Sequence, residues 1–203
     1  MLVRVTTEEI IIAVVRVIGS LPVLVWPFPG AIIAILTDLS DLFMKDLLHE
    51  GGVRDYQEFD KWLDQVYMLT FLTVALRWEP APRNIAVGLF LFRLAGFVAF
   101  EVSQERAVLI FFPNLFEFWF VFVAGAKFFR LDAASRVGPA EPGRRLWGLL
   151  PLRYARGQLA AVLPVLLAAK LLQEFALHVG RWFDSFTAVE AVEWIWRFLT
   201  PPY

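Results

Sequence analysis

Cysteine is absent from the 203 residues of this chain, and charged residues make up only 19% of it. The first absence excludes disulfides, thiolate metal sites and cysteine nucleophiles. Soluble domains carry about 25% charged residues, so the second argues against an ordinary water-exposed surface. The formal net charge of −1 provides no global positive field. Nucleic acid is therefore not expected as a partner.

Motifs for common catalytic chemistry are also scarce. The chain has no Ser/His/Asp arrangement, no glycine-rich phosphate loop and no zinc motif, and its two histidines are isolated. A cleavable signal peptide is not indicated either, because Glu8 and Glu9 interrupt the basic start and no small-residue cleavage site follows. The first apolar stretch is therefore predicted to be a retained helix.

Apolar residues are abundant and clustered. They form 59% of the chain, aromatic residues form 16%, and the mean hydropathy is +0.61. A helix needs about 20 mostly apolar residues to cross the hydrocarbon core of a bilayer. Six stretches approach this length, namely 9–25, 31–48, 59–78, 85–100, 107–126 and 159–177. The sequence predicts an all-α, multi-pass bundle of about six transmembrane helices, forming one domain over 1–203 in the cell membrane.

The segments between these stretches predict turns and loops. The Trp26–Gly30 segment, with two prolines, and the pair Pro80 and Pro82 are expected to interrupt helices. A basic loop is predicted at 127–157, and an aromatic, charged tail at 181–203 is predicted to be an interfacial helix. Nine lysines and arginines fall on the side of the 127–157 loop and seven on the other. This distribution favours a cytoplasmic loop.

Aspartates near the link between the second and third stretches are the most informative polar residues. Asp38, Asp41 and Lys45 share one helix face, and Asp60 and Asp64 share another. Helices joined by a short link are normally antiparallel neighbours, so these carboxylates should approach each other and repel. A divalent cation would compensate them, and oxygen ligands favour Mg²⁺, Mn²⁺ or Ca²⁺. The alternative is that they are solvated helix ends.

The same aspartates carry a family resemblance. The CDP-alcohol phosphotransferases are six-helix membrane enzymes with the signature Asp-x-x-Asp-Gly-x-x-Ala-Arg, eight residues, Gly, three residues, Asp, three residues, Asp. Asp38, Asp41, Asp60 and Asp64 resemble its four aspartates, with one extra residue between the second and third. The chain departs from the signature where Leu42 replaces the first glycine and Lys45-Asp46 replaces Ala-Arg.

The resemblance implies a metal-dependent transfer of a phosphoalcohol onto or from a lipid-type substrate. It implies Asp38, Asp41 and Asp60 as ligands of Mg²⁺ or Mn²⁺ and Asp64 as the general base. Lys45 would contact a substrate phosphate. Residues outside the motif, Arg144 and Arg145 in the basic loop, are predicted to hold anionic headgroups. Family members place this site in the cytoplasm, whereas the lysine and arginine distribution places the link between the second and third helices outside.

Charged residues within the later stretches predict buried pairs. Arg93 with Glu117, and Lys170 with Glu174, are the expected partners in the bundle interior. The second hypothesis for the chain is a non-catalytic membrane protein that packs against a second copy or a partner subunit. The buried charges support a third, a small transporter or channel that uses Arg93, Glu117 and Lys170. Membrane lipids are expected partners in every case.

Overall fold

The fold was analysed in a computed structural model, which describes residues 7–47, 56–103, 108, 111–129 and 154–175. All regular structure in these ranges is helical, which confirms the predicted all-α class. The helices are α1 (Thr7–Ser20), α2 (Pro27–Leu47), α3 (Tyr56–Ala75), α4 (Pro80–Ser103), α5 (Leu115–Phe128) and α6 (Arg156–Glu174). A 3-10 turn (Leu21–Leu24) follows α1. The predicted interfacial tail at 181–203 lies outside the described residues.

Helices are interrupted near the prolines, as predicted, at Val25–Trp26 and between Ala75 and Pro80. The prolines themselves belong to the next helix: Pro27 begins α2 and Pro80 begins α4, so both helices start four or five residues earlier than predicted. This is possible because a first-turn residue needs no backbone donor and already has the φ of proline. The chain reverses just before α2, at Val25 and Trp26. Gly30 makes this reversal possible, since a Cβ there would lie 2.4 Å from the Val23 nitrogen.

The fifth predicted segment, 107–126, is shorter in the structure. Helix α5 begins only at Leu115, because Pro113 precedes it and Asn114 caps it. Its 14 residues extend about 21 Å at 1.5 Å per residue. In the part of the chain that the structure describes, only α4 is both long and apolar enough to cross a bilayer, and shorter apolar helices lie at Ile10–Leu24, Pro27–Leu39 and Gly157–Gln173.

The core is aromatic and joins α3, α4 and α5. Phe71 and Phe120 are fully buried and stack with ring centroids 4.3 Å apart, and Trp78 stacks on Phe120 at 5.1 Å. Trp119 is also fully buried, and its indole donates a hydrogen bond to the carbonyl of Pro82 at 3.1 Å. Helix α1 packs on α2 and α3, and α6 packs on α5. This arrangement directs one face of every helix towards a common interior.

Candidate functional site

A buried arginine from α1 joins the two helices that carry the aspartate motif. Arg16 lies on the inward face of α1, one turn from Ile12 and one turn from Ser20, which are also buried. Its Nη2 donates to Asp64 Oδ1 on α3 at 2.8 Å and also pairs with Asp38 Oδ1 on α2. Only 4% of the Arg16 side chain is exposed, against 12% for Asp64 and 31% for Asp38. The guanidinium thus supplies the cation for two opposed carboxylates.

The ion pair with Arg16 involves two residues with predicted roles, Asp38 as a metal ligand and Asp64 as the general base. The structure brings Asp38 and Asp64 together, as expected for antiparallel neighbours, but their described counter-ion is a side chain. Asp64 accepts a hydrogen bond from Arg16, a role that the family resemblance does not assign to it. Helical backbone places Asp41 and Asp60 about one turn nearer the link; their side chains, with that of Lys45, lie outside the described residues. Among the side chains that are described, no group of three or more acids and histidines is clustered for metal binding.

A second polar cluster forms where α5 begins. The Asn114 side chain accepts from the Glu117 backbone nitrogen at 3.4 Å, which is the capping arrangement that starts the helix. Its Nδ2 donates to the Tyr67 hydroxyl oxygen at 2.9 Å and to Glu117 Oε2 at 3.1 Å. The Tyr67 hydroxyl itself donates to Glu117 Oε2 at 3.1 Å. All three side chains are buried, so α3 and α5 share one closed hydrogen-bonded triangle.

Two buried cations face this triangle from α4 and α6. Arg93 Nη1 donates to the carbonyl of Phe112 at 2.9 Å, and Lys170 Nζ donates to Gln173 Oε1 at 2.9 Å. Arg93 and Glu117 therefore have separate hydrogen-bond partners, and the direct pair expected from the sequence is not formed between these two described side chains.

The side chains of the remaining predicted site residues lie outside the part of the chain that the structure describes. The expected partner of Lys170, Glu174, belongs to the last turn of α6, and its side chain lies outside the described residues. Arg144 and Arg145 also lie outside them, as does most of the predicted basic loop. The ends of that loop belong to helices, because α5 continues to Phe128 and α6 begins at Arg156.

Each of the six described helices contributes at least one charged side chain to the interior or its edge. Six of these groups are Arg16, Asp38, Asp64, Arg93, Glu117 and Lys170. Glu101 on α4, with a buried Oε1, lies outside this set. The two clusters meet on α3, where Asp64 and Tyr67 lie one turn apart. We name these six groups, with Tyr67 and Asn114, the charged interior.

Sequence reasoning missed three members of the charged interior. Arg16 lies within the apolar stretch 9–25, and spacing along the chain does not assign its partners, because they lie on other helices. Tyr67 and Asn114 were not singled out. A usable signal did exist for Asn114, since an Asn three residues before a Glu and directly after a Pro is a helix-start pattern. Tyr67 has no comparable local signal.

Comparisons with protein-family models, curated proteins and solved structures find no significant match to this chain.

Proposed function

We propose that this protein is a polytopic integral membrane protein that transfers protons through its charged interior. The observation that supports membrane embedding is an inversion of polarity. Among the described side chains, seven polar or charged ones are buried beside the aromatic core, and 28 large hydrophobic ones are exposed. In water this arrangement would cost free energy on both counts. In a bilayer, ionisable groups face the bundle interior and apolar side chains face lipid.

Helix α1 shows the inversion most clearly. Its inward stripe is Ile12, Arg16 and Ser20, and two of these three residues are polar. Its outward faces carry Ile10, Ile11, Val14, Val15, Val17 and Ile18, all classed as exposed. A helix at the surface of a soluble protein has the opposite pattern. The short helices are compatible with insertion, since a bilayer can thin locally around short apolar segments at modest cost.

Proton transfer is the activity that the second cluster supports best. Glu117 is a buried carboxylate that contacts a phenol and an amide, and Asp64, Arg93 and Lys170 interact with it from three other positions. Carboxylates in such interior positions mark proton and ion pathways in membrane proteins. Once protonated, Glu117 can donate to the Tyr67 oxygen while the hydroxyl proton moves to a water molecule, and such a relay needs no wide pore.

Proton flux into proteoliposomes tests this activity. The purified protein is reconstituted with a pH-sensitive dye inside, and a pH gradient is applied with valinomycin and K⁺ to cancel charge build-up. We expect flux above that of protein-free liposomes, reduced at least about tenfold in Glu117→Gln. Glu79→Gln is the matched control, because Glu79 is exposed and pairs with Lys127 outside the charged interior. Wild-type flux equal to that of empty liposomes would refute the proposal.

A metal-dependent phosphoalcohol transferase is the second candidate, and the meeting of Asp38 with Asp64 favours it. Mg²⁺ or Mn²⁺ would be held by Asp41 and Asp60, with Asp38 at the edge. Such an ion would stabilise charge on a transferring phosphoryl group. Thermal unfolding in detergent, with and without divalent ions, tests this candidate. We expect a transferase to gain stability with Mg²⁺ or Mn²⁺, and Asp41→Asn and Asp60→Asn to lose that gain; no gain in the wild type would eliminate it.

A further inference from the structure

One end of the bundle combines exposed aromatic rings with cations. The reversal after α1, the turn between α3 and α4, and the end of α5 meet there. The Phe28 ring lies 5.5 Å from both the Phe128 and Phe129 rings. Lys127 on α5 forms an ion pair with Glu79 in the α3–α4 turn. These contacts bring three separate segments to one end, which we name the basic-aromatic end.

The aromatic side chains of this end are directed outward. Trp26 is 62% exposed, Phe128 58% and Phe129 55%. A large aromatic side chain exposed in water is unfavourable, and three at the same end form a patch that needs a partner. Trp is enriched at the level of lipid headgroups, where one part of the ring meets the apolar chains and the N–H meets water. The position of this patch at helix ends, rather than along helix sides, matches that level.

Three cations lie at the basic-aromatic end. Arg77 in the α3–α4 turn is exposed, and Arg83 in the first turn of α4 is half-buried. Lys127 is paired with Glu79. Two arginines are therefore present at this end in addition to the Lys127–Glu79 pair.

We propose that the basic-aromatic end binds the anionic phospholipids of the adjoining membrane leaflet. The aromatic rings insert at the headgroup level, and Arg77 and Arg83 contact lipid phosphates. A guanidinium suits this task because its planar donors can bind two phosphate oxygens at once. Charge complementarity selects an anionic headgroup over a zwitterionic one. This inference rests on the proposed membrane embedding, and it does not depend on proton transfer or on a metal.

Lipid binding by the detergent-purified protein tests the proposal. Native mass spectrometry would compare phosphatidylglycerol with phosphatidylcholine of the same acyl chains. We expect the wild type to prefer phosphatidylglycerol. A basic residue near an anionic surface contributes about 1 kcal/mol, so the double variant Arg77→Gln/Arg83→Gln should bind phosphatidylglycerol roughly 30-fold more weakly. Its binding of phosphatidylcholine should be unchanged.

The matched control removes two positive charges at the α2–α3 link, which joins the opposite ends of these helices. Arg54→Gln/Lys61→Gln should retain the lipid preference, because position 54 lies in the link and position 61 adjoins it. Equal loss in both double variants, or no headgroup preference in the wild type, overturns the proposal. Displacement of the lipid by inorganic phosphate, at an ionic strength matched with chloride, also overturns it in favour of a simple anion site.

Membrane extraction separates this failure from failure of the underlying membrane proposal. Both double variants and the wild type should remain in the membrane fraction after alkaline carbonate washing. If they remain there and lipid preference is absent, only the lipid site is refuted. If the wild type is extracted by carbonate, membrane embedding itself is refuted, and the lipid site with it. A thermal melt of each variant confirms that it is folded.

Discussion

Removal of the Arg16 guanidinium is expected to destabilise the fold more than removal of any surface charge. Arg16→Met retains the aliphatic bulk of the side chain but removes the guanidinium. The buried Asp64 carboxylate then loses the cation that it pairs with. Loss of one partner from a buried ion pair costs about 3–5 kcal/mol. For a chain of 150–250 residues, 1 kcal/mol corresponds to about 2–4 °C in Tm. The expected fall in Tm is therefore about 6–20 °C.

The contribution of the ion pair itself is isolated by a double-mutant cycle. Asp64→Asn removes the carboxylate charge and nearly preserves its shape. Replacement of both partners leaves only the more exposed Asp38 without the Arg16 cation, so Arg16→Met/Asp64→Asn should recover part of the stability lost in Arg16→Met. The interaction between contacting residues is measured by the departure from additivity, which we expect to be about 1–3 kcal/mol. Arg16→Lys retains the charge but not the planar fork and should fall between the wild type and Arg16→Met.

The assay is thermal unfolding of the purified protein in detergent, followed by intrinsic tryptophan fluorescence and by circular dichroism. Glu79→Gln serves as the surface control, since a solvent-exposed ion pair contributes about 0–1 kcal/mol and Glu79 is 46% exposed in its pair with Lys127. The reasoning is refuted if Arg16→Met melts within about 2 °C of the wild type, or if the cycle is additive.

Three further outcomes follow from packing, capping and exposure. Gly96→Ala should destabilise the fold by about 1–3 kcal/mol, because the added Cβ would lie 2.3 Å from the Cβ of Phe112. Gly88→Ala is the control in the same melt. Its added Cβ would meet nothing within 4 Å, so it should be neutral or stabilising. Asn114→Ala should lower the free energy of unfolding by about 1–3 kcal/mol, through loss of a cap and of two buried hydrogen bonds; unchanged stability would contradict the triangle. Ile18→Asp, at a position 61% exposed, should reduce the carbonate-resistant membrane fraction if this face meets lipid, and an unchanged fraction would argue for water there.

Helix positions were largely predictable from the sequence, because they depend on local properties. Apolar stretches located all six described helices, with shifts of a few residues at most ends. The exceptions also have local causes. The predicted turns include Pro27 and Pro80, whereas both lie in the first turn of the next helix, where proline is favourable. The start of α5 at Leu115 was missed because apolar residues continue on both sides of the Pro113-Asn114 start signal.

The polar partners were much less predictable. The approach of Asp38 to Asp64 followed from two helices and a short link, but the identity of their counter-ion did not. Arg16 lies 48 residues before Asp64 and on another helix, so no spacing rule connects them. The repulsion of the four carboxylates predicts a compensating cation. Arg16 supplies one for Asp38 and Asp64, and a divalent ion at Asp41 and Asp60 stays a prediction. Choice among distant cations depends on which helices pack together, which periodicity alone does not encode.

The position of Arg16 has a consequence for biosynthesis. In the membrane protein proposed above, α1 leaves the ribosome before α2 and α3, and so before either aspartate that compensates its guanidinium. An unpaired arginine near the middle of a helix raises the free energy of insertion by about 2.5–3.5 kcal/mol. Helix α1 is therefore expected to insert poorly by itself and to be retained beside the insertion machinery until α3 arrives. Translation of at least 64 residues, plus those inside the exit tunnel, would precede its stable integration.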